Sequence, residues 1–225
     1  MSVFILVPAY NEEQVIRQTL QSLLPLGHQI VVIDDGSTDD TRQQLHDLPI
    51  HLLTHMVNLG QGAALQTGMH YALSAGAEIV VHFDSDGQHQ ASDIAALIQP
   101  ILDKEADLVL GSRFLSDQPS GIPLSRKILL KSAIVLNGLL TGLWLSDAHN
   151  GLRAMNRKAL THIHIRENRM AHATEILSEI KKHGLRFKEV PVFIQYSAYA
   201  KAKGQSGWNA FNILSDLILH KLFSR

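Results

Sequence analysis

The sequence predicts an α/β protein, a mostly parallel sheet flanked by helices, folded as one domain over residues 1–225. Two observations carry this prediction. Short β-branched runs alternate with helix-spaced segments four times in the first half, joined by short connections, and that rhythm builds a parallel sheet. Each run also ends in a polar cluster, and open α/β sheets place their ligand crevice at the carboxyl ends of the strands.

Taken in order, Val3 to Val7 is the first strand. The run is too short, and lacks the basic flank, for a secretory signal. It ends at Pro8-Ala9-Tyr10-Asn11-Glu12-Glu13. Val15, Ile16, Thr19, Leu20, Leu23 and Leu24 follow at helical spacing. Asn11 is the expected cap, with both glutamates favourable in the first turn. Gln29 to Ile33 is the second strand, ending at Asp34-Asp35-Gly36-Ser37-Thr38-Asp39. Ile50 to Thr54 is the third, leading through Asn58-Leu59-Gly60-Gln61-Gly62 to a helix over Ala63 to Ala75. Glu78 to Val81 is the fourth and runs into His82-Phe83-Asp84-Ser85-Asp86-Gly87-Gln88-His89. Ser92 to Leu102 reads as the next helix, and Leu108 to Leu110 as a strand leading to Gly111-Ser112-Arg113.

Beyond this point the rhythm is lost. Leu129 to Leu145 is apolar but interrupted by Lys131, Ser132 and Asn137, and its 17 residues sit at the lower limit for spanning a bilayer. A buried or interfacial helix is expected, with no transmembrane segment. Met170 to His183 reads as a helix, Phe187 to Tyr196 as a strand and Ser197 to Gly207 as a polar loop. In a final helix Trp208, Phe211, Leu214, Ile218 and Leu222 share one face, with Lys201 and Lys203 just before it. That face fits an anionic membrane surface, the core, a second copy of the chain or a small membrane-protein partner.

The chain has no cysteine, which removes disulfides and thiolate metal sites and suits a reducing cytoplasm. Its net charge of −1 hides an asymmetry. Residues 1–150 hold 7 basic and 16 acidic side chains, residues 151–225 hold 13 and 5. An acidic half before a basic half points to a cation site followed by anion or membrane-surface contacts, unless folding mixes the two over one surface.

Asp84 and Asp86 are the sharpest chemical signal. Two carboxylates at a strand end repel each other unless a cation joins them, and a hard divalent ion completed by substrate phosphates is the usual solution. Asp-Gly is also ordinary turn chemistry, and the same alternative stands for Asp34-Asp35-Gly36-Ser37. A carboxylate there would accept hydrogen bonds from a base or ribose. Gly60-Gln61-Gly62 lacks the third small residue of a dinucleotide fingerprint, Leu65 standing in its place. The chain has no Gly-x-x-x-x-Gly-Lys-Ser/Thr, His-Glu-x-x-His or Gly-x-Ser-x-Gly, which removes the usual P-loop, zinc-protease and hydrolase-elbow readings. Arg113, Arg126 and Arg153 are either phosphate ligands or members of ion pairs.

In combination the motifs resemble a known family. Val7 to Glu13, Val32 to Asp39, Asn58-x-Gly60-x-Gly62 and Asp84 to His89 resemble family 2 glycosyltransferases of the GT-A, Rossmann-like fold. Gly111-Ser112-Arg113 and Asp147-x-x-x-Gly151-Leu152-Arg153 narrow this to enzymes like dolichol- and polyprenyl-phosphate sugar transferases, the likeness running from Val3 to about Pro191. The resemblance implies that Pro8, Ala9, Tyr10, Glu12 and Asp35 hold the nucleotide, with Gly62, Asp84 and Ser85 completing the nucleotide-sugar site. Asp84, Asp86 and Gln88 would hold Mg2+ or Mn2+. Arg113 and Arg126 would meet the donor diphosphate and the acceptor phosphate. Residues 1–115 would then form the donor half and 116–225 the acceptor half.

The expected activity is metal-dependent, inverting transfer of a hexose from a UDP- or GDP-linked sugar to a polyprenyl phosphate. The expected place is the cytoplasm or the inner face of the plasma membrane, with no nucleic-acid partner. An anionic acceptor needs alignment rather than a base. A saccharide hydroxyl would need one, with Asp147 as the candidate. A nucleotidyltransferase would require a basic Gly-rich loop where Ala9 to Glu13 is acidic, and a non-catalytic sugar-nucleotide binding module would bind donor without turnover.

Overall fold

The computed structural model describes residues 1–115, 131–132, 134–135, 137–139, 141–147, 150–169 and 171–195. Its strands are β1 (Val3–Ala9), β2 (Gln29–Asp34), β3 (His51–Thr54), β4 (Ile79–His82), β5 (Leu108–Ser112), β6 (Arg153–Asn156) and β7 (Phe187–Pro191). They form one seven-stranded sheet in the order β3-β2-β1-β4-β6-β5-β7. Every ladder is parallel except the two that β6 makes with β4 and β5. The mostly parallel α/β sheet predicted above is therefore the one observed.

Helices α1 (Ile16–Leu23), α2 (Gln61–Ser74), α3 (Asp93–Leu102), α4 (Arg157–His162) and α5 (His172–Lys182) cover both faces. Side chains alternate across a strand, so each strand feeds two cores. Leu6, Ile33 and Val80 pack with Ala64, Leu65 and Met69 of α2 and with Ile176 and Leu177 of α5. Ile5, Val7, Val32 and Val81 face the other way, onto Ile16, Leu20 and Leu23 of α1 and Ile94, Leu97 and Ile98 of α3. Burial on both faces explains why β1 and β2 read as continuous apolar runs rather than alternating ones.

Several elements differ from expectation. Asn11 does not cap α1; it has a positive φ of 53°, and its side-chain oxygen accepts the Thr38 N–H at 2.8 Å. Val15 occupies the cap position without a side-chain hydrogen bond, and the Glu12 carbonyl accepts the N–H groups of Val15 and Ile16. Arg153–Asn156 is a central strand that sequence patterning missed, because its short Arg-Ala-Met-Asn run takes its burial from β4 and β5 rather than from an apolar signature. The expected strand from Phe187 stops at Pro191, opposite Ser112 where β5 itself ends. Described residues between 131 and 141 are helical, while Leu145 is buried outside the helix. No helix among the described residues is long and apolar enough to cross a membrane. Arg126, Tyr196, the Ser197–Gly207 loop and the Trp208–Leu222 helix lie outside the described residues.

Candidate functional site

β1 lies between β2 and β4 and runs parallel to both. Their carboxyl ends therefore set Tyr10 to Glu12, Asp34-Asp35 and Asp84 to Gln88 along one rim. β5 is antiparallel to β6, which is antiparallel to β4. Its end thus brings Ser112 and Arg113 to the same rim.

On the β1 side, Pro8 and Ala9 are buried strand residues, and Tyr10, 42% exposed, is the one open to the crevice. Glu12 is buried and its N–H is donated to Thr41 Oγ1 at 2.7 Å. Asp34 and Asp35 divide their work. Asp34 accepts the Ser37 N–H and pairs with Arg42, closing the loop that follows β2. Asp35 accepts the N–H groups of Leu59 and Gly60 at 2.9 and 2.7 Å and meets His55 Nδ1 at 2.7 Å.

Gly62 has a structural duty of its own. Its N–H is donated to the Asn168 carbonyl at 2.8 Å. A Cβ on Gly62 would stand 1.9 Å from the Glu167 carbonyl oxygen. The expectation that Gly62 belongs to the sugar-nucleotide site is thus set against a packing requirement: the amino end of α2 is sealed by the 167–168 loop.

Asp84 is 27% exposed in its side chain. Oδ1 accepts from Gln61 Nε2 at 2.8 Å and Oδ2 meets His89 Nε2 at 2.9 Å. Gly151 presses on the same carboxylate, since an added Cβ would lie 2.3 Å from Oδ2. Burial works against the charge on Asp84, but the hydrogen bond and charge of His89, with Arg153 and His172, bring its pKa down to about 2. Asp86 moves the other way: burial, then the neighbouring Asp84 charge, raise it. Its oxygens are held by Gln88, from the backbone N–H at 3.0 Å and from Nε2 at 2.6 Å. Ser85 is buried, and its carbonyl accepts the Thr19 hydroxyl at 3.1 Å.

Asp84 and Asp86 set two mutually repelling carboxylates just after β4, with the Gln88 amide nitrogen turned to Asp86. No group of three or more His, Cys, Asp or Glu side chains among the described residues is arranged to hold a metal ion. Such a pair of carboxylates does not suit a closed zinc site. It fits Mg2+ or Mn2+ held by one or two carboxylates, with water and phosphate oxygens completing the shell.

Arg113 and Asp147 are brought together as a buried ion pair. The Asp147 Oδ2 atom accepts from Arg113 Nε at 2.6 Å and from its backbone N–H at 3.1 Å. Glu189 of β7 supports this pair by accepting from the Ser146 N–H and hydroxyl and from the Asp147 N–H. Arg153 lies deeper, 2% exposed, and donates through Nη2 to the Asn150 carbonyl at 2.8 Å. Burial lowers its pKa to about 10 against the pull of Asp84 and Asp147. Directly across the ladder, His82 is fully buried, and burial, Arg153 and His172 push it well below its ordinary value.

Sequence reasoning did not assign roles to Gln61, His55, His89 or Glu189. Gln61 and His89 sit inside motifs already quoted, so proximity was a usable signal. Nothing local marks Glu189, whose partners are more than forty residues away.

The model of the family described as glycosyl transferase family 2 matches residues 4–163. A UDP-N-acetylglucosamine–dolichyl-phosphate N-acetylglucosaminyltransferase of Methanococcus voltae is 32% identical over 241 residues, covering 98% of this chain and 96% of that protein. An undecaprenyl-phosphate mannosyltransferase of Micrococcus luteus is 28% identical, with 92% of this chain and 89% of that one covered. Among solved structures, glucosyl-3-phosphoglycerate synthase of Mycobacterium tuberculosis, in complex with Mn2+ and UDP-glucose, superposes with a TM-score of 0.71 at 20% identity, covering 99% of this chain and 78% of that chain.

Proposed function

The chain belongs to glycosyl transferase family 2 and is a glycosyltransferase; from that premise we propose that it moves a hexose from a nucleoside-diphosphate sugar to a polyprenyl phosphate, with inversion at the anomeric carbon. The observation that carries this reading is the Asp84–Asp86 pair just after β4, on the same rim as Asp35 just after β2, with β1 between the two strands. The names of the two relatives, both acting on lipid phosphates, support the choice of acceptor.

Asp35 and Tyr10 hold the nucleoside in this reading. Asp84 and Asp86, with Gln88, would hold Mg2+ or Mn2+, which supplies charge neutralisation on the departing diphosphate. Arg113, held at the rim by Asp147, would meet the donor diphosphate or the acceptor phosphate. An acceptor phosphate oxygen attacks the anomeric carbon as the bond from that carbon to the donor diphosphate breaks, and the nucleoside diphosphate leaves with the electron pair. No proton has to be removed from a phosphate nucleophile, so alignment and electrostatics carry the step. This agrees with Asp147, which is committed to Arg113 rather than open to act as a base. Asp147 is assigned here to positioning Arg113, and Arg126 to the acceptor phosphate. The enzyme would work in the cytoplasm, meeting its acceptor at the inner membrane face through the basic segment after residue 150.

The test offers labelled UDP- and GDP-hexoses to the full chain with polyprenyl phosphate, with free saccharides, or with neither. Label in lipid only where polyprenyl phosphate is present supports the reading. Label in saccharide moves the acceptor to a hydroxyl, and binding without transfer leaves a sugar-nucleotide binding module.

A further inference from the structure

We infer that His55 is a specificity-determining residue: by occupying Asp35 it leaves one acceptor position for the donor base, which selects uracil over guanine. The inference rests on the nucleoside reading of Asp35 proposed above and names the base that reading leaves open.

An ionised carboxylate offers about four lone-pair positions, two on each oxygen. At Asp35 three are taken. Oδ1 meets both His55 Nδ1 at 2.7 Å and the Leu59 N–H at 2.9 Å, while Oδ2 accepts the Gly60 N–H at 2.7 Å. Oδ1 is full and a single position on Oδ2 remains. Only 3% of the Asp35 side chain is exposed, so these protein groups fill nearly all of its surroundings.

The arrangement is held from both sides. An ionised carboxylate only accepts, so His55 Nδ1 carries the hydrogen of that bond. The other ring nitrogen meets Thr67 Oγ1 of α2 at 2.9 Å. The His55 N–H is donated to the Asp34 carbonyl at 2.9 Å. Gly60 sits with φ of 104° against the Asn168 carbonyl, and a Cβ on Gly36 would stand 2.6 Å from the Val57 backbone. The 55–60 loop is thus packed closely at Val57, against Gly36, and at Gly60, against Asn168.

Bases differ in what they offer a carboxylate. Uracil presents one ring N–H between two carbonyls, which matches one remaining acceptor. Guanine presents a ring N–H and an amino N–H side by side, and satisfying both takes two carboxylate oxygens. With Oδ1 full, guanine buries a donor without a partner, the costly case in hydrogen bonding. Adenine and cytosine turn a ring-nitrogen lone pair towards the same carboxylate.

Calorimetry with UDP and GDP on the full chain, in Mn2+, tests this. The expected result is UDP binding at least about tenfold tighter than GDP, the size of effect that one unmet buried donor produces. In His55→Ala the ratio should fall towards one, while His55→Asn, which keeps an N–H near Oδ1, should retain it. Thr67→Val loosens the same ring and should lower the ratio even where His55→Ala fails to fold. Equal or tighter GDP binding by the native chain, or an unchanged ratio in both His55→Ala and Thr67→Val, overturns the inference while leaving the donor site in place. Binding of neither nucleotide overturns the donor reading and the inference together.

Discussion

Asp84 and Asp86 stand one residue apart, and their surroundings drive them in opposite directions. His89 and more distant cations hold Asp84 ionised, whereas burial and the Asp84 charge itself raise Asp86. Asp86→Asn removes a charge the fold carries at a cost. Its melting temperature should match or exceed that of the native chain, while transfer falls by about a hundredfold or more, as for loss of one electrostatic stabiliser. Thermal melts beside initial rates check this, and native-like activity in Asp86→Asn would remove the residue from the chemistry. Asp147 separates two roles in the same way. Asp147→Asn removes the negative charge from a buried ion pair with Arg113, which should lower stability by about 3 kcal/mol in urea titrations. A general base would instead lose activity with little loss of stability. The carboxylate pair was legible because it closes an apolar run. The ion pair was not, because its halves lie 34 residues apart in the chain.

At the scale of elements, the amino end of α2 illustrates how a motif can be seen and its cause missed. Gly60-Gln61-Gly62 read as an incomplete dinucleotide fingerprint, and in the structure these glycines admit the carbonyls of Asn168 and Glu167. Gly62→Ala should therefore cost about 2 kcal/mol or more through overpacking, measured by chemical denaturation, and a neutral result would contradict the close approach. Asp107, just before β5, is the clamp for the far side of the sheet. It accepts from the Arg186 backbone and guanidinium, from Asn156 and from Lys158. Arg186 above all holds its carboxyl well below the usual range. A depressed folded-state pKa stabilises above the unfolded value of about 3.9 and loses that contribution as pH falls towards the folded one. Asp107→Asn should be less stable than the native chain at pH 7, by about 2 kcal/mol, and the gap should narrow below about pH 4. A constant gap across that range would assign the loss to packing. Strand β6 was illegible for a related reason: four residues flanked by two partners need no amphipathic signature of their own.

Over the whole molecule, the first half was readable because each βα unit repeats one pattern and each ends in polar residues at one rim. The second half was readable only in part. The helix before His183 and the strand from Phe187 were seen, but β6 was not, since β5, β6 and β7 are joined out of sequence order and their contacts are long-range. The charge division, acidic before residue 150 and basic after it, is partly mixed by folding, since Lys158 and Arg186 pair with Asp107 and Lys188 pairs with Glu105. In the proposed reaction the rim carboxylates would act with a divalent ion to pass a hexose to a lipid phosphate. The most direct measurement follows label from a nucleotide sugar into polyprenyl phosphate, with the full chain stripped by chelator and then resupplied with Mg2+ or Mn2+. The account predicts lipid-linked label that disappears on chelation, returns with either ion and is absent in Asp86→Asn. Undiminished transfer after chelation, or label that never enters the lipid under any of these conditions, would contradict it.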